Sequence, residues 1–282
     1  MRKEKFEFPR KGRARIVDPK NTAAVRAALK EEEHFNPSNS MLLTNYFFMR
    51  DFMQEMVKEE SDFIITGSSS WPMYNESLRV PTDLDLKTNS PQRILDLIRH
   101  IADAEKDANM VVGDAQHTGN DVIKTHVDFD LNGLLGRFYI DVQTDDSLTN
   151  QIMSMRKVIS TDQVFDAKGM AVEESVAHKI DSILNKLTKP RNPYYRIKDF
   201  YDIYMLCKEN DVNKGLVNDY LNQLIGVRSK EGAKCIQENL GELVVPNQDL
   251  LWSSFRRKHN PRENDKEKII ETVKGLIQDM EI

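Results

Sequence analysis

Residues 63–86 read FIITGSSSWPMYNESLRVPTDLDL, and the fold turns on this stretch. The apolar run 63–66 has the composition of a short strand. Gly67 breaks it, Ser68-Ser69-Ser70 follow, and a short helix is expected before a second strand that carries Asp83 and Asp85 around Leu84. Side chains two apart on a strand share a face, so Asp83 and Asp85 project together while Leu84 and Leu86 turn into the sheet. Adjacent carboxylates repel, and a fold that sets them side by side commonly holds a cation between them. Gly67 permits close approach of backbone to a ligand. Ser68 and Ser69 fall where a helix begins, and the N–H groups of such a turn favour anions. A phosphate cradle next to a carboxylate pair points to a nucleoside triphosphate bound with Mg²⁺.

A later strand offers a further acid. The segment 137–143, RFYIDVQ, places Asp141 between Ile140 and Val142, where an acid is costly without a partner. Asp128, between Val127 and Phe129, is the rival. The row His126, Asp128 and Asp130 lies on one face of its strand; a metal cluster is one reading and an exposed polar face the cheaper one. Asn132-Gly133, between the two strands, predicts a tight hairpin. Arg79, four residues before Asp83, either contacts phosphate or pairs with a nearby acid. The succession strand, Gly-Ser, Asp-x-Asp, later Asp resembles the signature of the DNA polymerase β-like nucleotidyltransferase superfamily.

The chain has 282 residues, enough for one large or two modest domains. Hydrophobic residues make up 39% and charged residues 30%, a balance that supports a buried core. A net charge of −5 does not mark an obligate nucleic-acid binder, although basic patches occur locally. Cys207 and Cys235 are far apart and no Cys/His grouping has zinc spacing, so neither a disulfide framework nor a zinc site is expected. No apolar run approaches a membrane span and the first residues lack a signal core, which makes a cytoplasmic location the expectation.

Residues 1–35 read as a basic N-terminal arm and a short helix, with Arg2, Lys3, Lys5, Arg10, Lys11, Arg13 and Arg15 offset by Glu4 and Glu7. A solvated terminus explains the arm; a strap for RNA or DNA phosphates is the sharper alternative. Asn36-Pro37-Ser38 precedes a helix whose apolar residues, from Met41 to Val57, nearly encircle its axis, so it should pack on more than one neighbour. Ser90-Pro91 opens a further amphipathic helix. From about Thr161 strands are expected to give way to helices. Arg256-Arg257-Lys258-His259 with Arg262 is the main basic cluster of the C-terminal part, either a solvated helix end or a surface for an acceptor nucleic acid.

Two blocks narrow the resemblance. One is the helix around Ala177-His178-Lys179-Ile180; the other is Lys198-Asp199-Phe200-Tyr201-Asp202-Ile203-Tyr204, in which Asp199 and Asp202 share a helix face. Together with the first stretch they resemble the AbiEii/AbiGii-type abortive-infection toxin branch of the nucleotidyltransferases, over residues 40–206. Gly67-Ser68 stands where many relatives of that branch carry Gly-Gly.

The resemblance implies an α+β fold: a polymerase β-like mixed sheet with flanking helices over 36–165, then an α-helical C-terminal domain over 166–282. It implies that Asp83, Asp85 and Asp141 bind Mg²⁺ or Mn²⁺, and that Gly67, Ser68, Ser69 and Arg79 meet the triphosphate. Lys179 would contact the leaving pyrophosphate, and Asp199, with Asp202 as second choice, would complete the site. The implied acceptor is an RNA such as tRNA, and the implied partner a separately encoded antitoxin. Two competing readings are nucleotidyl transfer to a small molecule, as in antibiotic-modifying enzymes, and a non-catalytic relative that binds nucleotide or nucleic acid.

Overall fold

The alternation of apolar and polar residues in three segments sets the architecture. In the computed structural model these segments are strands β2 (Asp83–Thr88), β5 (Val122–Leu131) and β6 (Leu134–Thr144). The structure describes residues 40–59, 62–73, 79–105, 108–118, 121–131, 133–144, 150–156, 164–187, 197–226, 230–238, 240, 248–259, 261 and 263–282. The basic arm, the short helix expected after it and Asn36-Pro37-Ser38 lie outside these residues. Described residues fall into two compact units, one within 40–73 and 80–170, the other comprising Arg79 and residues within 171–282.

In the first unit a mixed sheet also contains β1 (Ile64–Thr66), β3 (Val111–Val112), β4 (Gln116–Thr118), β7 (Asn150–Arg156) and β8 (Val164–Met170). The order is β3-β5-β6-β2-β1-β8-β7, with β4 also paired to β5. β2 runs parallel to β6 and antiparallel to β1, while β1 runs parallel to β8. The β5–β6 hairpin closes with Leu131 opposite Leu134, so its turn has two residues, as Asn132-Gly133 predicts. Gly133 has φ +83° and its N–H donates to Asp130 Oδ1 at 2.7 Å.

One face of the sheet is apolar. Leu84 and Leu86, Phe138, Ile140 and Val142, and Ile123, Val127 and Phe129 are all buried. Helix α1 (Ser40–Glu59) packs on β6 and on α2 (Pro91–Ala104). Phe48 stacks on Phe129 at 4.1 Å and Phe52 meets Phe138 at 5.5 Å. Phe52, Met53 and Met56 are essentially fully buried, each worth about 1.5–3 kcal/mol of burial. α2 starts at Pro91 and buries Ile94, Leu95, Ile98 and Ile101. The other face carries the polar residues of the same strands.

The expectation that strands end near Thr161 needs correction. β7 and β8 form an antiparallel pair through Met170, from Asn150↔Met170 to Arg156↔Val164. NQIMSMR and VFDAKGM alternate poorly and hold few β-branched residues, so pairing with each other, and of β8 with β1, outweighs weak local preference.

The second unit is helical among its described residues: α3 (Val172–Leu187), α4 (Ile197–Glu209), α5 (Lys214–Gly226), α6 (Lys230–Glu238), α7 (Gln248–His259) and α8 (Lys266–Gln278). Its core gathers Val176, Ile180, Phe200, Ile203, Leu221 and Ile269. Tyr201, Trp252, Phe255 and His259 form a chain of ring contacts. Asp265 caps α8 by accepting from the Lys268 N–H at 3.0 Å. No described helix is long and apolar enough to cross a membrane.

Candidate functional site

The polar face of the first unit is where the predicted acids meet the register of the sheet. Asp85 lies opposite Asp141 on the parallel neighbour β6, and Asp83 lies opposite Tyr139. Neighbouring strands are about 4.8 Å apart, and residues in register share a face. Asp83, Asp85 and Asp141 therefore stand on one face of two adjacent strands, each partly exposed. The Asp83 carboxylate accepts from the Thr82 hydroxyl at 2.9 Å.

The turn after β1 is built around Asp85. Gly67 has φ +58°, a conformation that disfavours a side chain, and a Cβ there would overlap the Asp85 carboxylate. Ser69 is buried; its hydroxyl donates to the Thr66 carbonyl at 2.7 Å and accepts the Asp85 N–H at 3.1 Å. Ser70 donates to the Gly67 carbonyl at 2.8 Å. The expected short helix is a 3-10 helix, Gly67–Met73; Ser69 fastens it to β1 and β2, and Ser70 closes its first turn.

Two expected outcomes follow. Gly67→Ala should displace the Asp85 carboxylate and force a left-handed side-chain-bearing residue, costing roughly 1–2 kcal/mol of stability and, through misplacement, roughly a hundredfold in turnover; urea denaturation and initial rates check both. Ser69→Ala leaves the Thr66 carbonyl and the Asp85 N–H without this partner and should cost about 1–3 kcal/mol, read from the urea midpoint.

Sequence reasoning left one partner out. The Lys124 ammonium, from β5, hydrogen-bonds Asp141 Oδ2. The signal was present in the hairpin: counting back along both strands from a two-residue turn sets Lys124 opposite Asp141, as observed. Lys87, two residues after Asp85 on the same strand, is a second cation on this face, and it is buried.

Asp128 is differently placed. β6 separates its strand from β2. Arg137 grips it with Nε to Oδ1 at 2.5 Å and Nη2 to Oδ2 at 2.8 Å. This hydrogen bonding holds the Asp128 carboxyl below its usual range. The row His126, Asp128 and Asp130 is the polar side of a strand.

Among the described residues no group of three or more His, Cys, Asp or Glu side chains is gathered as a metal-holding cluster. The donor chemistry of Asp83, Asp85 and Asp141 nonetheless fits a hard divalent cation: carboxylate oxygens only, on one face, half open to solvent. The Lys124 ammonium already supplies positive charge to Asp141.

The remaining predicted residues are in the helical unit. Lys179 Nζ is 2.8 Å from Asp199 Oδ1 and 3.0 Å from Asp202 Oδ2. Arg79 donates Nε to Asp202 Oδ1 at 2.8 Å and Nη2 to Asp202 Oδ2 at 3.1 Å. Arg79, Asp199 and Asp202 are buried. Of the two readings for Arg79, pairing with an acid is the one this geometry gives: its fork is taken up by a carboxylate. Burial works to lower the Lys179 pKa, but Asp199 and Asp202 outweigh it and raise the value. Burial would raise Asp202, and Arg79 with Lys179 hold it low instead.

The basic cluster is split. Arg256, Arg257 and Lys258 are exposed on the last turn of α7, whereas His259 is buried against Phe255. Burial, followed by the charges of Arg79, Lys258 and Lys198, pushes His259 down to about 2, so it adds no charge. Arg262 lies outside the described residues.

The family described as nucleotidyl transferase AbiEii toxin, type IV TA system, matches residues 57–274. Among solved structures, JHP933 from Helicobacter pylori matches with 12% identity and a TM-score of 0.50, over 84% of this chain and 91% of that one. A candidate nucleotidyltransferase from H. pylori matches with 11% identity and a TM-score of 0.46, over 83% and 94% respectively. At such identity the first likeness is one of fold. No curated protein matches the chain.

Proposed function

Because this chain belongs to the AbiEii family of nucleotidyl transferase toxins, we propose that it moves a nucleotide from a nucleoside triphosphate to a hydroxyl of RNA, with a divalent metal held by Asp83, Asp85 and Asp141. The chain is a nucleotidyltransferase of a type IV toxin–antitoxin family, and that membership implies a cognate antitoxin. The observation that supports the site assignment is the register Asp85↔Asp141 beside a glycine turn shaped to the Asp85 carboxylate.

Mg²⁺ or Mn²⁺, when bound, neutralises the triphosphate and acidifies the attacking hydroxyl. Asp83 and Asp85 would hold the ion from one strand and Asp141 would join from the next. Gly67 and Ser68 present the turn to the β- and γ-phosphates. Ser69 acts indirectly, by fixing the Asp85 backbone. Lys179 is assigned to the leaving pyrophosphate on the family resemblance alone. A tRNA is the leading acceptor on the same ground. The protein contributes position and fixed charge, as phosphoryl-transfer sites do.

The test is direct. The full chain is incubated with each α-labelled nucleoside triphosphate, Mg²⁺ or Mn²⁺, and total cellular RNA. Label should enter a discrete RNA band and vanish with EDTA. Label that enters a small molecule and no RNA overturns the acceptor; transfer that survives EDTA overturns the metal.

A further inference from the structure

Tyr139 is an aromatic side chain exposed beside the acids. Its residue is 52% exposed, although β6 is an interior strand of the sheet with both edges paired. Single exposed apolar residues are ordinary on proteins. The setting of this one is not ordinary. Tyr139 is in register with Asp83 and two residues before Asp141 on the same strand face. His126 is opposite it on β5, with ring centroids 6.0 Å apart and a tilt of 56°, so the His126 ring supports one edge. Arg137 and Lys124 flank it along the two strands, both about half exposed.

The order of strands gives this ring a side of the reaction. β2 carries the acid pair and has β1 on one flank and β6 on the other. The Gly67 turn closes β1, so phosphates seated there approach the acids from that flank. Tyr139 occupies the opposite flank, from which the nucleophile has to enter if attack and departure are in line. A nucleobase has a π-face whatever its identity, and stacking on an exposed aromatic next to cations is how single strands are gripped without sequence readout.

We propose that Tyr139 is the platform on which the 3′-terminal base of the RNA acceptor stacks, setting its hydroxyl toward Asp141. This deepens the RNA-acceptor reading and rests on it. It assigns no catalytic step to Tyr139, which is a positioning residue.

Binding is measured by fluorescence anisotropy, without metal or triphosphate, using a 5′-labelled ten-nucleotide oligoadenylate and the same oligonucleotide with an abasic 3′-terminal ribose. Wild type and Tyr139→Phe should bind the intact RNA at least about tenfold tighter than the abasic one, the range expected for one stacked base. Tyr139→Ala should bind both equally and as weakly as wild type binds the abasic RNA. In steady-state transfer, Tyr139→Ala should raise KM for RNA about tenfold while the KM for triphosphate stays within twofold. Three results each overturn the assignment: discrimination that persists in Tyr139→Ala, its loss in Tyr139→Phe, or its absence in wild type. Failure of the metal-site reading looks different, because it alters label transfer and leaves this metal-free binding contrast intact.

Discussion

Changing Asp83 and Asp85 together to asparagine should abolish label transfer from an α-labelled triphosphate while the protein stays folded. Asparagine keeps the shape and removes both negative charges, so of the three acids grouped across β2 and β6 only Asp141 remains, beside Lys124. A divalent cation bound by hard anionic oxygens has little affinity for neutral amides on that scale. Loss of metal-assisted phosphoryl chemistry should cost at least about a thousandfold in turnover, the order seen when a single preorganised electrostatic contact is deleted. Folding should be retained or slightly improved, because like charges on one strand face repel. Transfer at the wild-type rate by this variant would overturn the metal assignment. Asp128→Asn is the matched control: its carboxylate is gripped by Arg137 and β6 stands between it and β2, so its transfer rate should stay within a fewfold of wild type.

The second large effect is on stability, in the helical unit. Lys179→Met should lower unfolding free energy by about 3–5 kcal/mol, the usual consequence of removing one member of a buried ion cluster. Two buried carboxylates, Asp199 and Asp202, then lose the ammonium they share. Far-UV circular dichroism during urea titration reads the change. The pH profile gives an independent sign. Asp202 is held below its usual range, so its contribution is full above about 3.9, the unfolded value, and is lost as pH falls through the folded value. Lys179 is raised, so its contribution is full below about 10.4 and is lost as pH rises through the folded value. Wild type should therefore be most stable between about 4 and about 10. Lys179→Met should remove the alkaline loss and begin to lose stability at higher pH on the acid side. A variant with wild-type stability would show that the cluster does not hold α3 against α4.

Much of the first unit could be read from residues alone because its strands alternate. Asp83-Leu84-Asp85-Leu86 declares which side is core, and Asn132-Gly133 gives the hairpin register that sets Lys124 opposite Asp141, while the level of Asp141 with Asp85 comes from the parallel β2–β6 pairing. Ser90-Pro91 announces α2 with equal clarity. β7 and β8 were illegible because their pairing is a tertiary decision: Met, Ser, Gln and Gly carry little strand preference. Arg79 could not be resolved between phosphate and acid, since its partner Asp202 is distant in sequence and only packing brings them together. Ser69 shows a different limit. A serine at the start of a turn signals anion binding and backbone fastening equally, and its two hydrogen bonds to β1 and β2 decide for fastening.

The parallel pairing of β2 with β6 has a bearing on when, during synthesis, Asp83, Asp85 and Asp141 can come together. Its two carboxylate-bearing strands are not sequence neighbours: α2, β3, β4 and β5 intervene. A ribosome that has released the Asp83–Asp85 segment has yet to synthesise the strand that lies beside it, and β8, which flanks β1, comes later still. Nascent chains and prematurely terminated products that stop before β6 therefore lack the neighbour that sets Asp141 beside Asp85.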